Sequence, residues 1–219
     1  MAAPSQLSLY NGALSICGER RLAALSDDRE ARYLLDDAWG RGAVKYCLER
    51  AFWNFAVRSV KATATTSTAV TVSFGSSEVY DKPSDWVRTI TMASNEAFSN
   101  LLTDVSYKDE GGYWFSTINP LYVRYISNGS GFGNDFNLWT EGFARVVESY
   151  LAVQIAPHLK KSAVDQAKIE KTHADFLRVA KSTDAMNEGV SFPPEGSWTR
   201  ARRGGRNRGD RGNPNQLTG

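Results

Sequence analysis

The hydrophobic period changes twice along this chain, and that double change limits what the chain can fold into. Between residues 27 and 54, Leu35, Trp39, Gly42, Tyr46 and Trp53 recur at intervals of three, four or seven, one apolar stripe on a helix. From 55 to 127 the period drops to two, with Leu121, Val123 and Tyr125 alternating with Tyr122, Arg124 and Ile126. From 136 it returns to the helical value, with Trp139, Phe143, Val146, Tyr150 and Val153 stepping by four, three, four and three. A helix–sheet–helix order of this kind predicts an α+β fold. The expected form is a bundle of about four helices with a small, mostly antiparallel sheet inserted between the second and third.

Local signals place the boundaries. Helices are predicted at about 4–18, 27–54, 136–157 and 162–186, with the sheet at about 55–127. Pro4 and Ser5 open the first helix, and Ser26 caps the second with Asp27 and Asp28 in its first turn, where the helix dipole favours anions. Gly40 and Gly42 weaken that second helix and mark either close packing or a bend. In the middle third, 55–62, 69–74 and 86–92 read as strands, and Gly111–Gly112 reads as a two-residue hairpin turn because both positions accept positive φ. Pro157 ends the third helix, and Ser162 with Asp165 caps the last, whose inner side carries Ile169, His173, Phe176 and Ala180. Residues 1–188 then form one domain, and 189–219 form an extended, aperiodic, Arg/Gly-rich C-terminal tail.

Charge separates those two parts. The chain has 26 basic and 24 acidic side chains; six arginines and one aspartate of these fall in 199–219, so that segment carries +5 and the rest −3. An acidic body with a basic tail points to partners, and by bulk charge the body is no nucleic-acid binder. Trp198 stands just ahead of the arginines, outside any periodic element. Tryptophan and arginine are the residues enriched at interface hot spots, so Trp198 reads as an anchor.

The parts of an enzyme are missing. GSGFG at 129–133 follows a strand and precedes a helix, but Asn134 stands where a dinucleotide loop needs its third glycine, and no Gly-Lys-Ser/Thr is near. It reads as a connection. His158 and His173 make no metal set, reading as a helix-end and a core-edge side chain. Asp27–Asp28 and Asp36–Asp37 are sequence neighbours, which a helix turns about 100° apart, so neither pair can flank one bond. Cys17 and Cys47 are too few for a disulfide scaffold or zinc site and read as buried, reduced thiols. No catalytic residue, metal or cofactor is expected. The N-terminus lacks the basic and apolar regions of a signal peptide, and no apolar run is long enough to span a membrane, so synthesis in the cytoplasm is expected.

The order of short motifs carries a resemblance. AFWNFA closes the second helix; KPSDWVR precedes a strand; DEGGYWF and YVRYIS follow. FNLWTEGFARVVESYLAVQIAP, KSTDAM and GSWTRAR complete the series. Together they resemble the tail tubular protein A family of phage head-to-tail adaptors, whose members often have a proline, a spacer and Asp-Tyr/Trp before a strand. Here that string is Pro83-Ser84-Asp85-Trp86. The resemblance spans roughly residues 5–200 and departs at 204–219, which run past the GSWTRAR pattern.

It implies a structural virion protein at the head–tail junction, without catalysis. The implied assembly is a homo-oligomeric ring, twelve-fold in this family, docked beneath the portal protein. It would join the portal to the next tail component, with DNA passing through its lumen without sequence-specific binding. Portal binding then falls to Trp198 as anchor and to Arg200, Arg202 and Arg203 as partners of portal carboxylates. The edge strands, notably 69–74, are expected to pair with a neighbouring copy or with the next tail protein. The alternative is a nucleic-acid-binding protein that uses the Arg/Gly-rich tail, since that composition also suits phosphate contacts and stacking.

Overall fold

The computed structural model describes residues 3–65, 71–102, 106–159 and 161–187. The chain divides into Met1–Asn187 and Glu188–Gly219, and all of the described residues belong to the first unit. The fold is mixed α+β. Among the described residues, five α-helices run in the order α1 (Gln6–Ile16), α2 (Glu30–Gly40), α3 (Ala43–Glu49), α4 (Glu141–Ile155) and α5 (Ala163–Met186). Six strands fall between α3 and α4: β1 (Val57–Ala62), β2 (Glu78–Asp81), β3 (Trp86–Ala93), β4 (Tyr107–Glu110), β5 (Tyr113–Ser116) and β6 (Leu121–Ser127).

Helix α4 is the centre of the helical part and packs against each of the other four helices. Thr140 caps it by accepting the Phe143 amide at 3.2 Å. Phe143, Val146, Val147 and Leu151 are then fully buried, as their spacing requires of a helix covered on several sides. Around Phe143 the rings of Trp53, Phe55 and Trp139 stand edge-on at 4.9, 4.9 and 4.8 Å between centroids. Both indole N–H groups are satisfied by backbone carbonyls, Trp53 at Cys47 and Trp139 at Gly133, each at 3.0 Å.

The long helix expected over 27–54 is two helices. Gly42 adopts φ +89°, left-handed backbone that glycine takes without steric cost, and it starts α3. A side chain on Gly40 would meet nothing within 4 Å, so the pair marks a bend and no close packing. The start also lies later than Ser26 suggested. α2 begins at Glu30, and Asp27 and Asp28 precede it: Asp27 accepts the Ala23 amide at 2.8 Å and Asp28 the Tyr33 hydroxyl at 2.8 Å. Asp27 thus bonds within the turn before the helix and Asp28 to a side chain of its first turn, and neither caps the helix N-terminus.

Two sheets replace the single one expected. One has the order β1-β6-β3 and the other β2-β5-β4, all pairs antiparallel. Gly111 and Gly112, at φ +56° and +87°, turn the β4–β5 hairpin. No strand forms at 71–74; β2 starts at Glu78 instead, while 69 and 70 lie outside the described residues. The two sheets share a second core of Tyr80, Met92, Trp114, Leu121, Val123 and Tyr125. Alternation had marked 121–126 as a strand, but strand pairing is set by contacts distant in sequence, such as Val57 with Ile126.

Candidate functional site

Trp198, Arg200, Arg202 and Arg203, the portal-binding residues that the resemblance implies, lie outside the described residues. The chemistry-bearing groups of the described part gather at three places.

The first is Asp85, from the Pro-Ser-Asp-Trp string. Its carboxylate accepts from Arg58 at 2.8 Å, from the Tyr125 hydroxyl at 3.1 Å and from Ser127 Oγ. Its backbone carbonyl accepts the Asn128 amide at 2.7 Å. One residue before β3 thus joins β1, β6 and the glycine-rich loop. Burial opposes the charge on Asp85, but the bonds from Ser127, Arg58 and Tyr125 outweigh it and hold the carboxyl below its ordinary range. The GSGFG loop is packed as a connection: a Cβ at Gly133 would stand 2.3 Å from the Ser127 carbonyl and 2.7 Å from Leu48. No space for a phosphate opens beside that glycine.

The second is the pair Ser149–His173, on α4 and α5, with Oγ and Nδ1 2.9 Å apart. A serine beside a histidine is half of a nucleophilic pair, but here the serine is fully buried and its hydroxyl reaches the Val146 carbonyl at 3.0 Å. The two bonds agree when Ser149 donates to Val146 and His173 Nδ1–H donates to Ser149. That leaves no base facing the hydroxyl. Burial, helped by the nearby Arg50, lowers the pKa of His173 and so favours the neutral ring. The pair joins two helices.

The third is the solvent-facing strip of α4. Glu141, Arg145 and Glu148 border open hollows of about 540, 520 and 440 Å³ toward α1 and α5. Glu148 lies over Gly12 of α1, and burial, with Glu141 adding to it, pushes its carboxyl up to about 7. The hollow between α4 and α5 is lined by Phe176, Val179 and Ala180, and Gly142 lets the two helices approach: its Cβ position is 3.2 Å from that of Ala180. Asp184 continues the same stripe of α5, buried, and accepts the Asn54 amide at 3.0 Å. This ties the end of α5 to the start of the sheets.

Both cysteines are free and buried, which raises their thiol pKa values, Cys17 to about 11. Among the described residues no three His, Cys, Asp or Glu side chains are grouped to hold a metal, and no helix is long and apolar enough to cross a membrane. The chain matches no protein-family model and no curated protein.

Proposed function

We propose that this chain is a structural virion protein, the head-to-tail adaptor of a phage, acting without catalysis or cofactor. Copies form a ring, about twelve-fold, beneath the portal at the head–tail junction. The ring connects the portal to the next tail component and surrounds the passing DNA. The finer arrangement belongs to this proposal: a helical body holds the ring, the inserted strands extend from it, and the C-terminal segment docks on the portal. In that docking Trp198 is the anchor and Arg200, Arg202 and Arg203 pair with portal carboxylates, each copy multiplying a weak contact.

The observation that most supports this reading is the place of Asp85. One string of the series that carries the resemblance, Pro83-Ser84-Asp85-Trp86, is a pinned structural element, joining two strands and a loop through one carboxylate. Surface chemistry agrees with assembly. Val179 and Met186 of α5 are exposed at the apolar α4–α5 hollow, the kind of surface that subunit contacts cover. β1 of one sheet and β4 of the other are end strands, which suit pairing with another chain, whereas 100–102 and Thr65 already bond to the outer edges of β3 and β2.

Co-sedimentation with isolated portal rings tests it. The full chain should travel with the rings, and raised salt should release it if arginine–carboxylate pairs hold the contact. A chain that never sediments with portal rings sinks the proposal. Binding to nucleic acid through the tail, without any portal binding, would favour the alternative reading.

A further inference from the structure

We infer that the exposed face of the β1-β6-β3 sheet is a contact surface for the phosphate backbone of duplex DNA, made by Lys61, Arg88 and Arg124. Residues opposite one another in an antiparallel pair share a face. Val57, Ile126 and Arg88 form one row of this face, Ser59, Arg124 and Thr91 the next, and Lys61 with Tyr122 the third. Ile126 sits in the helical core, so the face begins under the helices and then emerges into solvent at Arg124 and Lys61. The rows are about 6.6–6.8 Å apart, two residues of strand each.

Each cation is seated on an aromatic ring. The Arg124 guanidinium lies 4.1 Å from the ring centroid of Phe98, Arg88 lies 4.3 Å from Phe52, and Lys61 Nζ is 6.0 Å from Tyr122. Arg88 is further fixed by donating to the Glu49 carbonyl at 3.3 Å. A ring holds a cation in place without neutralising it, so the charge remains available to an anion. No ion pair among the described residues uses Lys61, Arg88 or Arg124. One acid, Glu96, shares a hollow of about 360 Å³ with Lys61, Phe98 and Tyr122.

Three fixed positive charges on successive rows match a linear polyanion. A DNA strand is such a polyanion, with one phosphate per about 3.4 Å of helix axis. Choosing DNA over an acidic polypeptide rests on the adaptor reading, in which DNA passes the chain. The contact requires no base recognition. The bulk charge of the body, −3, is a sum that does not register a local cluster of three cations.

The test is anisotropy of a labelled mixed-sequence duplex with the full chain, titrated between about 50 and 200 mM salt. Wild type is compared with the triple variant Lys61→Gln, Arg88→Gln, Arg124→Gln, and with a charge-matched control, Lys168→Gln, Lys171→Gln, Lys181→Gln, on α5. The C-terminal arginines contribute equally to all three. The slope of log K against log salt should fall by about 0.9 per cation removed, close to 3 for the face triple, while the control keeps the wild-type slope. Single variants Arg124→Gln and Lys61→Gln should each lose about 0.9, which keeps the test alive if the triple fails to fold. Equal slopes for face and control variants overturn the inference, as does a wild type that binds no duplex. If the face variants instead lose only binding to poly-glutamate, the surface belongs to an acidic polypeptide and the DNA assignment falls. No portal is present, so an intact slope alongside failed portal docking counts against the adaptor reading alone.

Discussion

The carboxyl carbon of Glu148 lies 2.3 Å from the point where a Cβ on residue 12 would stand. A glycine in α1 therefore makes the bed in which a carboxylate of α4 is half-buried, and that burial is what raises the Glu148 pKa to about 7.

Gly12→Ala follows from the same contact. The clash is with the far end of a flexible side chain, so Glu148 should swing into the adjoining hollow and leave the backbones in place. Alanine also gains about 1 kcal/mol of helix propensity over glycine. Thermal melting should show a Tm unchanged or raised by a few degrees, while Glu148 titrates nearer its ordinary value. A large fall in Tm would mean that α1 and α4 cannot yield there.

Glu148 itself sets a pH dependence. Its folded pKa is above the unfolded one, so the folded state holds the proton more tightly, and stability is fullest below about 4.5. It declines as pH rises toward about 7 and then levels. The charged groups facing Glu148 are Glu141 and Arg145 of its own helix and Arg21 across the hollow. Glu148→Gln should flatten the loss of Tm between pH 5 and pH 8 seen in the wild type. Parallel wild-type and variant curves would refute this.

Asp85→Asn should cost about 2–3 kcal/mol, since it removes the charge that three donors converge on. At 2–4 °C per kcal/mol, Tm falls by roughly 4–12 °C. Arg58 is far more exposed, with 42% of its side chain accessible, so Arg58→Gln should cost under about 1 kcal/mol. Equal losses for the two variants would mean that the ion pair, and not the hydroxyl bonds, carries the junction. The depressed Asp85 pKa adds stability above the ordinary carboxylate range, lost as pH falls through the folded value.

Trp198→Ala should weaken portal capture by about tenfold or more, in the range of a lost hot-spot anchor, with melting unchanged. Undiminished capture would remove Trp198 from the docking role.

What the sequence made legible was local. The Ser162–Asp165 cap, the Gly111–Gly112 turn and the stripe through Phe143 were readable because propensity, spacing and burial agree at those residues. Asp184 was within reach too, lying four residues beyond Ala180 on the same stripe. Arg58 with Asp85, and Glu148 with Gly12, were not: each depends on segments brought together from far apart, and no local period encodes it. The cations of the sheet face were hidden in another way. Lys61, Arg88 and Arg124 look like ordinary solvent-side strand residues until the register sets them on successive rows.

The most direct test of the adaptor reading is the mass of the complex formed with isolated portal rings, full-length chain against a chain ending at Gly196. The reading predicts a portal complex heavier by about twelve copies for the full chain, and loss of that complex on truncation. A complex that survives truncation would move the docking contact into the body. Portal rings that gain no mass from either chain would contradict the adaptor reading altogether.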